Sequence, residues 1–261
     1  MAKHKLKRFA EVANFPNVFQ VNYHHLKEPF PLKGKWGNDY FQNNHPIVLE
    51  LGCGKGEYTL GLAENDKDKN FIGMDIKGAR LWRGSKTALE KNMKNVCFLR
   101  TKIDYLESFF DIDEVSEIWI TFPDPQPQEK REKKRLTSPV FINRYKKVLK
   151  KDGIIHLKTD NLQLYQYTIE VIKENNYRLL FATDDLYKNS PSPITGEGIV
   201  ENAIDKALFQ APLSIGGGAL LSIQTFYEKK FLEKGMKINY LNFQLEKERI
   251  VVEDINHGQT N

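Results

Sequence analysis

Ile47-Val48-Leu49-Glu50-Leu51-Gly52-Cys53-Gly54-Lys55-Gly56-Glu57 is the stretch whose reading decides the fold. An apolar run of strand length passes through a loop with glycine at alternate positions, and a helical pattern follows from Glu57 to Glu64. Glycines at such a turn admit a ligand where a Cβ would block it, and the N-H groups of the next helix then face that ligand. Outward from this unit the pattern repeats. Asn70–Met74, Asn95–Leu99, Glu117–Phe122 and Gly153–Thr159 are further strand-length apolar runs. Between and after them, Gly78–Lys91, Ser138–Lys150 and Leu162–Asn175 carry helical periodicity, the last through Leu164, Tyr167, Ile169, Val171 and Ile172. Strands alternating with helices predict an α/β protein of right-handed βαβ units, with a mainly parallel sheet covered on both faces.

The flanks read differently. Residues 1–45 hold aromatics, prolines and polar residues without a sustained period, which predicts a basic, irregular N-terminal arm ahead of a domain spanning 46–261. Residues 184–224 break the rhythm with Pro191, Pro193, Gly196, Gly198 and the triplet Gly216–Gly218, and read as a long excursion with a short helix near Val200–Phe209. After it, Thr225–Gly235 reads as a helix ended by its glycine, and Lys237–Leu245 as a final alternating strand.

With 261 residues, 40% apolar and 28% charged, the composition is that of a globular chain with its own core, which excludes disorder and small disulfide scaffolds. No window approaches a membrane span, and the start of the chain lacks the apolar core of a signal peptide, so a cytoplasmic protein is expected. Cys53 and Cys97 form no C-x-x-C pair and are expected as reduced thiols. His24, His25 and His156 have no acidic or Cys partners at metal spacing, so no metal is predicted. Formal net charge is only +5, but it is uneven. Lys3, Lys5, Lys7 and Arg8 form one cluster; Lys130, Arg131, Lys133, Lys134 and Arg135 form another, which Arg144, Lys146, Lys147, Lys150 and Lys151 extend. Such patches suit a polyanion, nucleic acid above all.

The strand Phe71–Met74 ends at Asp75, about 20 residues past the glycine loop, where a carboxylate can accept bonds from both hydroxyls of a ribose. Three adenosine cofactors compete for such a site. A nucleoside triphosphate is disfavoured because Gly54-Lys55-Gly56-Glu57 lacks the Lys-Ser/Thr ending of a phosphate loop. A dinucleotide is disfavoured because the loop is G-x-G-x-G and is preceded by Glu50, a carboxylate better suited to a cationic methionyl ammonium than to a pyrophosphate. S-adenosyl-L-methionine is the cofactor these features favour. Asp104, after the strand Asn95–Leu99, is placed either to bind the adenine amine or to cap a helix. Asp124, between Pro123 and Pro125 at the end of Glu117–Phe122, is either a turn residue or a group presented to substrate.

In that order, ELGCGKG, FIGMD, FPDP with QPQEKREKKRLTSPVF, HLKTDN and TFYEKKFLEKGMKINYLNF resemble the tRNA (guanine-N7-)-methyltransferase family over about residues 46–245. The resemblance implies a Rossmann-like class I methyltransferase fold with a seven-stranded sheet. It also implies transfer of a methyl group from S-adenosylmethionine to N7 of a tRNA guanosine, the variable-loop guanosine at tRNA position 46. Carried over by position, Glu50, Gly52, Gly54, Gly56, Asp75 and Asp104 belong to the cofactor site and Asp124 to the active site. Gln128, Lys130, Arg131, Lys133, Lys134, Arg135, Asp160, Thr225 and Glu228 fall on the tRNA side.

The 184–224 excursion looks longer than the family's usual connection, and the chain departs from the family's motifs at two places. Asp75 stands where Glu is common, and Gln126 and Gln128 replace a Trp and a Lys. The second departure keeps alive a non-catalytic RNA-binding protein of the same fold. A methyltransferase acting on another substrate is the other alternative. A monomer or a homodimer fits the sequence equally.

Overall fold

A computed structural model describes residues 2–21, 30–188 and 223–245. Ile47–Leu51 forms β2, buried at all five positions, and Asn70–Met74 forms β3, equally buried. A strand covered on both faces has no polar face to show, which is why these two read as unbroken apolar runs. Around them stand β1 (Val18–Gln20), β4 (Val96–Arg100), β5 (Val115–Thr121), β6 (Leu149–Thr159), β7 (Arg178–Thr183) and β8 (Asn239–Gln244). The helices are α1 (Ala2–Val12), α2 (Glu57–Asn65), α3 (Gly78–Glu90), α4 (Leu106–Phe109), α5 (Pro139–Val148), α6 (Leu162–Glu174) and α7 (Phe226–Glu233).

The sheet runs β1-β4-β3-β2-β5-β6-β8-β7. It is parallel except at β8, which lies antiparallel between β6 and β7. From β2 the chain winds one way through β3 and β4 and then returns to the other side through β5 and β6. The carboxyl ends of β2 and β5 therefore flank a switch point, the place where ligands of open α/β sheets bind.

The sheet has eight strands, one more than the seven expected. β1 is the addition, pairing Val18, Phe19 and Gln20 in parallel with Phe98, Leu99 and Arg100. It comes from the segment read as an irregular arm, whose described part is ordered. Phe19 meets Trp36 and Tyr40 edge-on at 5.1 and 5.0 Å, while Trp36 stacks on Phe110. Trp82 ties α1 to α3: its indole N-H donates to Glu11 at 2.6 Å and the Arg8 guanidinium lies 4.7 Å over its ring. Part of the N-terminal positive charge is thus engaged in packing.

His156 sits in β6 with no exposure, stacked on Trp119 at 3.9 Å and sharing a hydrogen bond with the Tyr240 hydroxyl at 2.9 Å. Burial lowers its pKa to about 3, so the ring is neutral. Cys53 and Cys97 are buried free thiols. Among the described residues no helix is long and apolar enough to cross a membrane, and no His/Cys/Asp/Glu cluster could hold a metal ion. The helix expected at 200–209 and the Gly216–Gly218 triplet lie outside the described residues.

Candidate functional site

Glu50 is the next-to-last residue of β2, and the residue is 3% exposed. Thr59, on the first turns of α2, donates to Oε2 through its backbone N-H at 2.7 Å and through its hydroxyl, and the Thr121 hydroxyl at the end of β5 donates to Oε1 at 2.6 Å. Burial nonetheless raises its pKa to about 7, with the charge of Asp75 adding to the effect and the threonine bonds opposing it. An opposite charge brought next to a carboxyl desolvated to this degree would favour its ionised form.

The loop beyond it opens the cleft. Gly52 and Gly54 have φ of 76° and 57°. A Cβ on Gly52 would meet nothing within 4 Å and one on Gly54 would just reach a carbonyl at 4.0 Å. The backbone here is bare toward open space. Gly56 is different. Its φ is 71°, and a Cβ would strike Phe98 at 2.6 Å, so this glycine lets the loop pack against β4 and α3.

One cleft is lined by Glu50, Gly52, Cys53, Gly54, Lys55, Glu57, Tyr58, Arg80, Thr121, Phe122, Thr225 and Tyr227. Asp75 adjoins it: its Oδ2 accepts from Gly54 N-H at 2.9 Å and its Oδ1 from Lys77 N-H at 2.7 Å. Asp104 is exposed, inside the 3-10 turn Ile103–Tyr105, and does not cap a helix; Lys102 and Tyr105 hold the two cap positions.

Asp124 is exposed on the loop after β5, and its Oδ1 accepts from Gln126 N-H at 3.1 Å. Phe122 and Gln126 on either side have φ of 47° and 45°, a left-handed backbone unusual for such residues. Surrounding structure must hold that strain: Phe122 N-H donates to the Lys158 carbonyl at 2.8 Å and Arg135 donates to the Gln126 carbonyl at 3.3 Å. Gln128 precedes the 3-10 helix Glu129–Lys134, on which Lys130, Arg131, Lys133 and Lys134 are all exposed. Arg135 instead lies 4.2 Å over the Tyr167 ring.

Asp160 is half-buried just past β6, with its pKa raised by burial. The next residue, Asn161, caps α6. Thr225 and Glu228 form a capping box at the start of α7. Thr225 lines the cleft, but Glu228 has no exposure, and its carboxylate faces Lys158 and the Tyr187 hydroxyl. Thr59, Thr121, Tyr58, Arg80 and Lys158 were not singled out from sequence. Only Lys158 left a signal there, a charge inside a run that otherwise reads as a buried strand.

A mostly parallel sheet, a glycine loop between β2 and α2 and carboxylates at the ends of β2 and β3 define a Rossmann-like, S-adenosylmethionine-dependent methyltransferase. Its fold matches a solved antibiotic-related methyltransferase with a TM-score of 0.52 at 15% identity, covering 80% of this chain and 92% of that one. The 16S rRNA methyltransferase KamB matches with a TM-score of 0.53 at 10% identity, covering 77% and 88%. A family model described as "Putative methyltransferase" matches residues 44–210. The tRNA (guanine-N(7)-)-methyltransferase of Christiangramia forsetii is 49% identical over 247 residues, 94% of this chain and 99% of that protein. That of Bacteroides thetaiotaomicron is 46% identical over 254 residues, covering 97% and 90%. The chain belongs to the tRNA (guanine-N7-)-methyltransferase family.

Proposed function

We propose that the cleft between β2 and β5 is where this chain brings the methyl group of S-adenosylmethionine to N7 of a tRNA guanosine, and that the residues around it divide the work as follows. The observation that carries the reading is Glu50, a buried carboxyl held by two threonines beside a glycine backbone open to ligand. The donor set fits an aminoacyl nucleoside cation. Glu50 would take the ammonium, Gly52 and Gly54 would let the ligand lie against the backbone, and Asp75, with its orientation set by two backbone N-H groups, would take the ribose hydroxyls. When bound, S-adenosylmethionine supplies an electrophilic methyl carbon on a sulfonium.

Guanine N7 carries a lone pair and no hydrogen, so the transfer step requires no base. Alignment is what remains for the protein, and placing N7, the methyl carbon and sulfur in line turns a bimolecular encounter into a bound one. Asp124 serves this by accepting from guanine N1-H and N2-H on a strained, firmly held loop. To present N7 the nucleotide leaves its stacked position, at a cost of a few kcal/mol that flanking RNA contacts offset. Lys130, Arg131, Lys133 and Lys134 supply phosphate contacts of that kind. Glu228 can bear on the substrate only through its neighbours, since it has no exposed surface of its own.

The reading implies action in the cytoplasm, on the variable-loop guanosine of tRNA, by a monomer or a homodimer. It is tested by incubating tRNA with the protein and isotopically labelled S-adenosylmethionine and analysing the nucleosides by mass. Labelled 7-methylguanosine is the expected product; label in another nucleoside, or none, overturns it.

A further inference from the structure

A row of cations starts at the head of α3. Lys77 is the N-cap residue, and Arg80 and Arg83 follow at successive steps of three. Side chains three apart on a helix are neighbours, and at 1.5 Å per residue the row runs about 9 Å along the axis. All three are exposed, and Arg80 lines the cleft together with Glu50, Gly52 and Gly54. Among the described residues none of the three makes an ion pair. The cations around them differ. Lys7 lies 3.9 Å from Glu11, Lys86 lies 3.9 Å from Glu90, and Arg8 rests on the Trp82 ring. Charge where α1 meets α3 is therefore engaged, while Lys77, Arg80 and Arg83 are left to solvent. The row is also fixed relative to the donor site. Lys77 N-H donates to Asp75 Oδ1 at 2.7 Å, and α3 packs so closely on the glycine loop that a Cβ on Gly84 would lie 2.6 Å from the Lys55 carbonyl.

We propose that Arg80 and Arg83, with Lys77, form a second phosphate-binding row, which holds the tRNA strand on the side of the cleft opposite the 3-10 helix. A nucleotide turned into a cleft leaves strand on both sides of it, one 5′ and one 3′, and both carry phosphates. The sheet order places β2 between β3 and β5. α3 follows β3 and the 3-10 helix Glu129–Lys134 follows β5, so cations stand on both flanks of the cleft. Lys130, Arg131, Lys133 and Lys134 serve one flank; the α3 row serves the other. Arginine suits the task, because a planar guanidinium binds two phosphate oxygens at once and gives up its hydration more readily than an ammonium. The carboxylate of the methyl donor is the rival occupant. It would engage Arg80 alone and leave Arg83, which is outside the cleft lining, without a ligand.

This inference rests on the methyl-transfer reading and adds a second RNA-binding flank to it. The test uses the full chain and whole tRNA. Arg80→Gln and Arg83→Gln should each flatten the slope of log K against log salt by roughly 0.7 to 0.9, and the double variant by roughly 1.4 to 1.8. Arg80→Lys with Arg83→Lys should restore the wild-type slope, since the charge returns, and still bind tRNA more weakly than the wild type, since the paired bonds do not. S-adenosylmethionine affinity, measured by calorimetry without tRNA, should stay at the wild-type value in every variant. Single-turnover rates at saturating tRNA should also be unchanged, because the row touches none of the reacting atoms. A wild-type salt slope in the double Gln variant would mark the row as a solvated face and overturn the proposal. Weakened S-adenosylmethionine binding in Arg80→Gln with tRNA affinity intact would overturn it in favour of the donor's carboxylate. A wild-type chain that transfers no methyl group to tRNA would overturn the underlying reading instead.

Discussion

Lys158 Nζ and Glu228 Oε1 lie 2.7 Å apart with neither side chain exposed, an ion pair that fastens α7 to β6 beneath the donor cleft. Three walls of the site meet there. Lys158 also donates to the Ile223 carbonyl at 3.4 Å and stands 5.2 Å from the Tyr58 ring, and its own carbonyl accepts from Phe122 N-H. Glu228 completes the capping box of α7 and accepts from the Tyr187 hydroxyl at 2.7 Å. Burial lowers the Lys158 pKa, and Glu228 opposes that shift.

Removing one charge of this pair should cost far more than removing both. Lys158→Met strands a buried carboxylate, and breaking a buried pair in this way destabilises by about 3 to 5 kcal/mol. Lys158→Met/Glu228→Gln leaves no uncompensated charge, and the Gln amide can still accept from Thr225 N-H and donate to the Tyr187 hydroxyl. The double variant should therefore recover most of the stability lost by either single one. Urea unfolding of the three variants measures this, and losses that simply add would show that the two side chains are not coupled.

Donor binding should depend on pH through Glu50. Its pKa in the folded chain is raised from 4.5 to about 7. The free protein therefore loses stability as pH rises from about 4.5 to about 7, because the unfolded chain releases this proton first. A cationic donor prefers the ionised carboxylate, so affinity should rise up to about tenfold per pH unit until pH 7 and level off above it, with a proton released on binding. Glu50→Gln should bind weakly at every pH. Calorimetry in buffers of different ionisation enthalpy reads the proton, and a pH-independent wild-type affinity would remove Glu50 from the ammonium site.

The exposed cations of the 3-10 helix should set the salt dependence of tRNA binding. Replacing Lys130, Arg131, Lys133 and Lys134 with neutral residues should flatten the slope of log K against log salt by roughly 0.7 to 0.9 for each phosphate no longer neutralised, with donor affinity unchanged. Arg135 is left out because its guanidinium is held by Tyr167 and the Gln126 carbonyl. An unaltered slope would mark the segment as a solvated face.

How far such sites can be read from sequence depends on where their cause lies. β2, β3 and the glycine loop are legible because a strand buried on both faces is apolar throughout and because φ above zero asks for glycine. β1 is not, since three residues are too few to show a period and its place is set by Phe19 packing on Trp36 and Tyr40. β7 escapes for a related reason: partly exposed over most of its length, its residues carry no clean alternation. Thr59 and Thr121 reach Glu50 from different elements, so only the fold reveals them. Glu228 is the sharpest case. A motif places it on the tRNA side, whereas its environment is that of a buried ion-pair partner.

For Asp124, orientation and base catalysis make different predictions because guanine N7 has no proton to lose. Asp124→Asn can keep the bond that Oδ1 accepts from Gln126 N-H, so the strained loop stays in place while one acceptor becomes a donor facing the guanine N-H groups. Transfer should slow, and its rate should remain flat with pH above the range in which carboxylates titrate. Asp124→Ala also loses the turn bond, which lets Phe122 and Gln126 relax from their φ of 47° and 45°. Misplacement on the order of 1 Å can cost about a hundredfold in rate, so the alanine variant should fall by at least that much within the bound complex. Gln126→Gly, which keeps Asp124 and eases the backbone, separates the two causes: it should lose less than Asp124→Ala if the carboxylate itself orients guanine. Single-turnover rates at saturating tRNA and S-adenosylmethionine are the quantity to measure. Wild-type rates in Asp124→Ala would take this residue out of the reaction and leave alignment to the cleft walls at Phe122 and Tyr227.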